Sequence, residues 1–218
     1  MHSNFAIATT LEERLTELGG IAPDRVRTQP PPGTATIGDL LQANDERREG
    51  LCELIDGCLV EKAMGYEASV VAIAIAHILR QFVAADHLGL VSGPDGFFKL
   101  TSSVRGPDVA YISVTRLPGG KLPGDAFPAI VPNLVVEVLS LGNTKAEMAR
   151  KRLEYFLHGV QVAWMVDCVQ RTVAVYTSPT DVVILGQAEQ IDGGIAVPGF
   201  SAKVAEFFSD LDIGVARQ

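Results

Sequence analysis

Cysteine is scarce in this sequence. Cys52, Cys58 and Cys168 are scattered, odd in number, and form no CxxC or Cys/His cluster. That pattern excludes a disulfide framework and a zinc site of ordinary spacing, and it fits a reducing cytoplasm. Long apolar runs are also scarce. The longest, residues 68–79, is too short to span a bilayer and contains His77, so no membrane association is expected. Met1-His2-Ser3-Asn4-Phe5 lacks the basic and apolar segments of a secretory signal, and the expected location is cytoplasmic. Basic residues are outnumbered, 18 Lys and Arg against 26 Asp and Glu, for a net charge of −8. This balance argues against nonspecific coating of nucleic acid, whose affinity comes largely from Lys and Arg at phosphates. Local basic stretches survive within it. Lys99, Arg105, Arg116 and Lys121 face Asp108 alone, and Lys145, Arg150, Lys151 and Arg152 face Glu147 alone. Internal repeats are absent.

What is present suffices for one sizeable core: 218 residues, 47% of them hydrophobic. Thr10 is placed to cap a short amphipathic helix that Gly19-Gly20 stops. Gln29-Pro30-Pro31-Pro32-Gly33 is a stiff extended segment. It divides an N-terminal arm, residues 1–35, from a main domain, residues 36–218. An amphipathic arm set apart from the core is expected to pack on a second subunit. A second short helix opens at Thr36, but the proline spacer is far too long for a helix-turn-helix. Residues 51–61 form a hairpin across Asp56-Gly57. From Tyr66 to Ala85 the chain is apolar, alanine-rich and free of Pro and Gly, which predicts the longest helix, covered on several sides. Strands are expected over 88–92, 97–100, 106–112, 134–140, 162–167, 172–176 and 182–185. A helix over 144–158 and a closing helix over 201–211 complete an α+β pattern.

Leu134-Val135-Val136-Glu137-Val138-Leu139-Ser140 organises the rest. It reads as a buried strand, with Val135, Glu137 and Leu139 on one face and Leu134, Val136, Val138 and Ser140 on the other. An unpaired charge buried there would cost several kcal/mol, so Glu137 must be protonated, paired, metal-bound or in a cleft. Asp108 begins an earlier strand. If the two strands are antiparallel neighbours, both carboxylates meet at one edge. Paired carboxylates are hard ligands suited to Mg²⁺ or Mn²⁺, which can polarise a phosphodiester and activate water. A lysine is expected beside them, to orient or deprotonate that water and offset phosphate charge.

Glu53-Leu54-Ile55-Asp56-Gly57, Pro107-Asp108-Val109-Ala110, the Leu134–Ser140 run and Lys151…Tyr155…Gly159-Val160…Trp164…Val166-Asp167 carry a resemblance in this order. The chain resembles the Uma-type restriction endonuclease family, within the PD-(D/E)xK restriction-endonuclease-like nuclease superfamily, over about Thr36 to Leu211. The resemblance implies a mixed, largely antiparallel central sheet flanked by helices, and a Mg²⁺- or Mn²⁺-dependent endonuclease acting on DNA; cleavage of both strands of a duplex would, with the arm, favour a two-fold homodimer. It maps the two metal-binding carboxylates onto Asp108 and Glu137. Leu139 stands where the common pattern has its strand lysine, and the family's helix lysine matches Lys151, with Lys145 and Arg152 as alternatives. Glu67 supplies a third acid or is a helix N-terminal acid favoured by the dipole. Glu53 points into the same cleft or supports the hairpin. The competing class is a catalytically silent binding or assembly module that keeps the fold.

Overall fold

The computed structural model describes residues 10–46, 50–63 and 65–213. In chain order it holds α1 (Leu11–Glu17), α2 (Ile37–Glu46), β1 (Cys52–Ile55), β2 (Cys58–Glu61), α3 (Tyr66–Ala85) and β3 (Gly89–Ser92). The strands β4 (Phe98–Lys99), β5 (Ser103–Arg105), β6 (Val109–Ser113) and β7 (Leu134–Val138) precede α4 (Lys145–Leu157). The chain closes with β8 (Val162–Asp167), β9 (Thr172–Tyr176), β10 (Val182–Gly186), β11 (Gln190–Asp192), β12 (Ser201–Lys203) and α5 (Val204–Phe207).

Six strands form the central sheet in the order β10-β9-β8-β7-β6-β3. Every pair is antiparallel except β7 and β8, which α4 connects as a crossover. The register Val109↔Val136 makes β6 and β7 neighbours. Carried one residue further, it sets Asp108 across from Glu137. Strand alternation sends Val136 and Val138 into the main core with Val109, Tyr111 and Trp164. Val135 packs on the opposite face with Ala163 and Tyr155 of α4, and Glu137 shares that face. A four-stranded sheet, β2-β1-β5-β4, lies alongside and a small β11-β12 pair completes the structure.

Helix α3 spans the predicted residues, because nothing within it breaks a helix. Its stripe of Val71, Ile75, Leu79 and Val83 is fully buried, and the helix packs on β3, β6 and β7. By length and composition α3 would suffice to cross a membrane; here that stripe fills the core. Helix α4 starts at a capping box in which Thr144 and Glu147 bond each other's backbone N–H. Its buried residues Met148, Lys151 and Tyr155 fall on one stripe facing the sheet.

Two expectations need correction. The arm, over its described residues, packs on its own chain rather than on a second subunit. Leu18, Ile21 and Val26 are buried against Ile55, Cys58 and Val60. Arg25 makes a bidentate bond to Glu147, at 3.0 and 2.7 Å, and Thr144 Oγ1 donates to the Gly19 carbonyl. Gly19 adopts φ 96°, and a Cβ there would come within 2.6 Å of the Glu147 backbone, so only glycine admits this approach. The closing helix is also shorter than expected. Residues 201–203 pair with β11 instead, through Ile191↔Ala202, and α5 begins only at Val204.

Candidate active site

The end of β7, the start of β6, the middle of β1 and the buried stripe of α4 bring alternating charges together. Glu137 is only 4% exposed. Its Oε2 accepts from Lys151 Nζ at 2.8 Å and its Oε1 from the Tyr155 hydroxyl at 2.6 Å. The same Lys151 Nζ lies 3.0 Å from Glu53 Oε1, so one ammonium bridges acids from two sheets. Glu53 also accepts from the Gly106 amide and from Arg105, each at 2.9 Å. Arg105 passes the chain on to Glu154 at 2.8 Å. Asp108 stands at the more open end. Its Oδ2 accepts the Val138 amide at 2.8 Å, tying β6 to β7, and its Oδ1 accepts from Lys62 Nζ at 3.1 Å.

Burial governs the protonation of this cluster, and the neighbours decide the outcome. Burial pushes the Glu137 carboxyl up to about 7, and Asp108 and Glu53 add to that rise against the pull of Lys151. Burial also opposes the charge on Glu53, but Lys151, Arg105 and Lys62 outweigh it and hold its pKa at about 2. Burial disfavours the Lys151 ammonium too, yet Glu137 and Glu53 overcome this and raise it above an ordinary lysine. Burial, then the negative neighbours, place the Tyr155 phenol well above its usual range. At neutral pH the cluster thus holds a firm cation, a firm anion, a neutral hydroxyl donor and one carboxyl near its midpoint.

Asp108, Glu137, Lys151 and Glu53 therefore converge. Glu67 does not join them: it is exposed in the first turn of α3 and makes no hydrogen bond or ion pair among the described residues. Of the basic alternatives, Lys145 is exposed. Arg152 turns away, donating to the Pro179 carbonyl and stacking over Tyr176 at 4.1 Å. Sequence reasoning passed over Lys62, Arg105, Glu154 and Tyr155 as members of the cluster. Tyr155 was within reach, since it follows Lys151 by four residues and shares its helix face. Lys62 and Arg105 carry no local signal, because only sheet pairing brings them to the acids.

The donor set fits a small hard cation. Mg²⁺ commonly takes one or two carboxylates and draws its remaining ligands from water and phosphate. Asp108 and Glu137 are two such carboxylates at one sheet edge, and each oxygen that accepts a hydrogen bond keeps a second lone pair. Among the described residues, no group of three His, Cys, Asp or Glu side chains is arranged to hold an ion. Next to Asp108 and Lys62 a cleft of about 700 Å³ opens, walled largely by the Tyr66, Ser69, Ile73 and Ala76 side of α3.

No curated protein matches the chain. Among solved structures, a protein described as a "putative nuclease belonging to DUF820" from Anabaena variabilis ATCC 29413 is similar, with a TM-score of 0.66. The match has 18% sequence identity and covers 74% of this chain and 91% of that one, a likeness of fold. The family model described as "Putative restriction endonuclease", Uma2, matches residues 37–205, which run from the first residue of α2 into α5 and include every member of the cluster. With most of its length matched, this chain belongs to the Uma2 family.

Proposed function

We propose that the protein is a metal-dependent endonuclease that hydrolyses phosphodiester bonds in DNA at the Asp108–Glu137–Lys151 cluster. The observation that carries this reading is the position of Lys151. From a helix, its ammonium reaches the strand carboxylate that a strand-borne lysine would otherwise serve, filling the gap left by Leu139. Asp108 and Glu137 would hold a Mg²⁺ or Mn²⁺ ion, which supplies Lewis-acid polarisation of the phosphate and a more acidic water.

The protein's own groups have distinct tasks. Lys151 stays protonated between Glu137 and Glu53, so it acts as a fixed positive charge toward the phosphate and not as a base. Glu137, whose burial lifts its pKa to about 7, would be held ionised by a bound ion, so its task is to ligate rather than to shuttle a proton. Tyr155 fixes the orientation of that carboxylate through its 2.6 Å bond. Arg105 and the Gly106 amide fix Glu53, which in turn anchors Lys151. A two-fold dimer would bring a second such centre into one assembly, and sedimentation at micromolar concentration tests it.

One observation favours a silent module that only keeps the fold: each carboxylate oxygen of Glu53, Asp108 and Glu137 already accepts an internal donor. Incubation of plasmid and single-stranded DNA with Mg²⁺ or Mn²⁺ decides between them. Cleavage by the wild type that disappears in Asp108→Ala supports the nuclease. Folded wild-type protein that cuts neither DNA supports the silent module.

A further inference from the structure

Helix α3 is apolar around most of its circumference, and its core-facing side, with Ala72, Ile78 and Phe82 beside the fully buried stripe, does not use all of that surface. Val71, Ile75, Leu79 and Val83 are buried, whereas the stripe through Tyr66, Ser69, Ile73 and Ala76 walls the cleft of about 700 Å³. Those positions follow at intervals of three and four, so they share one face of the helix. On that face Tyr66 is 89% exposed and Ile73 66% exposed, although both are large apolar side chains. Uncovered apolar surface next to a polar centre marks a binding site, and the volume suits a ligand of small-molecule size.

The charges of the cleft narrow what can enter it. Among the described lining residues Lys62 is the single cation and Asp108 the single anion, paired at 3.1 Å at the end shared with the carboxylate cluster. A wall with one paired cation cannot track a run of phosphates, which calls for many Lys and Arg contacts. The net charge of −8 likewise offers little for a duplex backbone. An apolar wall with an aromatic ring at its mouth does suit the face of a nucleobase. A nucleotide whose phosphate lies at Asp108 has its neighbouring base within reach of this wall.

Resting on the proposed phosphodiester chemistry, we infer that the α3 cleft receives an unstacked base flanking the scissile phosphate. The substrate is accordingly single-stranded, frayed or base-flipped DNA, because a base within an intact duplex is stacked on both faces and cannot enter. Tyr66 supplies the stacking surface and Ile73 and Ala76 the apolar floor.

The test uses a single-stranded DNA oligonucleotide carrying one fluorescent base analogue, and the same strand annealed in a duplex. Binding to the full chain is followed by anisotropy and by analogue fluorescence in Mg²⁺, with cleavage read from the same mixtures. Two variants probe the cleft on exposed positions that the core does not use: Tyr66→Ala removes the ring, and Ser69→Trp fills the space. The wild type is expected to bind the single strand at least tenfold more tightly than the duplex. Each variant should lose about tenfold or more of the single-strand affinity, the range of one lost base stack, with little change toward the duplex. Equal affinity for both forms, no binding of either, or variants that match the wild type on the single strand would overturn the assignment. The two readings fail separately. Wild-type protein that captures the base and cuts nothing sinks the hydrolysis alone, and wild-type cleavage untouched by either cleft variant sinks the base site alone.

Discussion

Replacing Glu137 with glutamine should change how stability depends on pH, by an amount the structure sets. Burial and the neighbouring acids lift the Glu137 pKa from 4.5 to about 7 in the folded chain. The folded state therefore binds this proton more tightly than the unfolded state does. Its contribution to stability is complete below pH 4.5 and is lost as pH rises toward 7. A shift of this size corresponds to roughly 3 kcal/mol across that window. Glutamine has the shape of the neutral acid and does not titrate, so Glu137→Gln should lack this slope. Urea unfolding between pH 4.5 and 8 reads the effect. Any constant offset between variant and wild type reports packing around Lys151, while the change of that offset with pH reports Glu137 together with the groups it is coupled to, Lys151 and Glu53. The variant should gain about 3 kcal/mol relative to wild type on going from pH 4.5 to pH 8. Parallel stability curves across the whole range would refute the reasoning, since Glu137 would then titrate like an exposed acid.

Glu53 should behave in the opposite sense. Its folded pKa of about 2 lies below 4.5, so its contribution is present above pH 4.5 and lost as pH falls toward 2. Glu53→Gln should cost about 3 kcal/mol at pH 7 and steadily less below pH 4.5, measured by the same unfolding series. Tyr155→Phe removes a donor to the ionised Glu137 and should move the Glu137 stability midpoint further up in pH. Arg25→Ala leaves Glu147 without its bidentate partner and should destabilise the chain by about 3 kcal/mol. Limited proteolysis of that variant should cut ahead of α2, where wild-type protein resists.

The strands carrying Asp108 and Glu137 were legible because apolar β-branched runs between turn residues admit few other readings. Their antiparallel contact was an inference from acids at opposite strand ends, and the register Val109↔Val136 has that form. Helix α3 was legible to the residue, since its limits are set by Gly65 and the loss of apolar character after Ala85. Strand β5 was not, because three residues carry no periodicity and gain strand form only by pairing Val104 with Leu54. The same tertiary pairing withdrew residues 201–203 from the closing helix. Amphipathic spacing in the arm announced an apolar face but could not say whose surface would cover it. At the cluster, the family resemblance matched the helix lysine to Lys151, and the spacing on α4 left Lys145 and Arg152 open. Only the packed stripe of Met148, Lys151 and Tyr155 separates them. The bridge from Lys151 to Glu53 joins two sheets, and no local pattern encodes it.

The central claim is that Asp108 and Glu137 bind one divalent ion for phosphodiester hydrolysis. Calorimetric titration of Mn²⁺ into wild type, Asp108→Ala and Glu137→Ala, with and without single-stranded DNA, tests it most directly. The wild type should bind one ion per Asp108–Glu137 pair, more tightly at pH 8 than at pH 6 because the ion favours the ionised Glu137, and both variants should lose that binding. Identical binding by all three proteins, or none by any of them even with DNA present, would contradict the account.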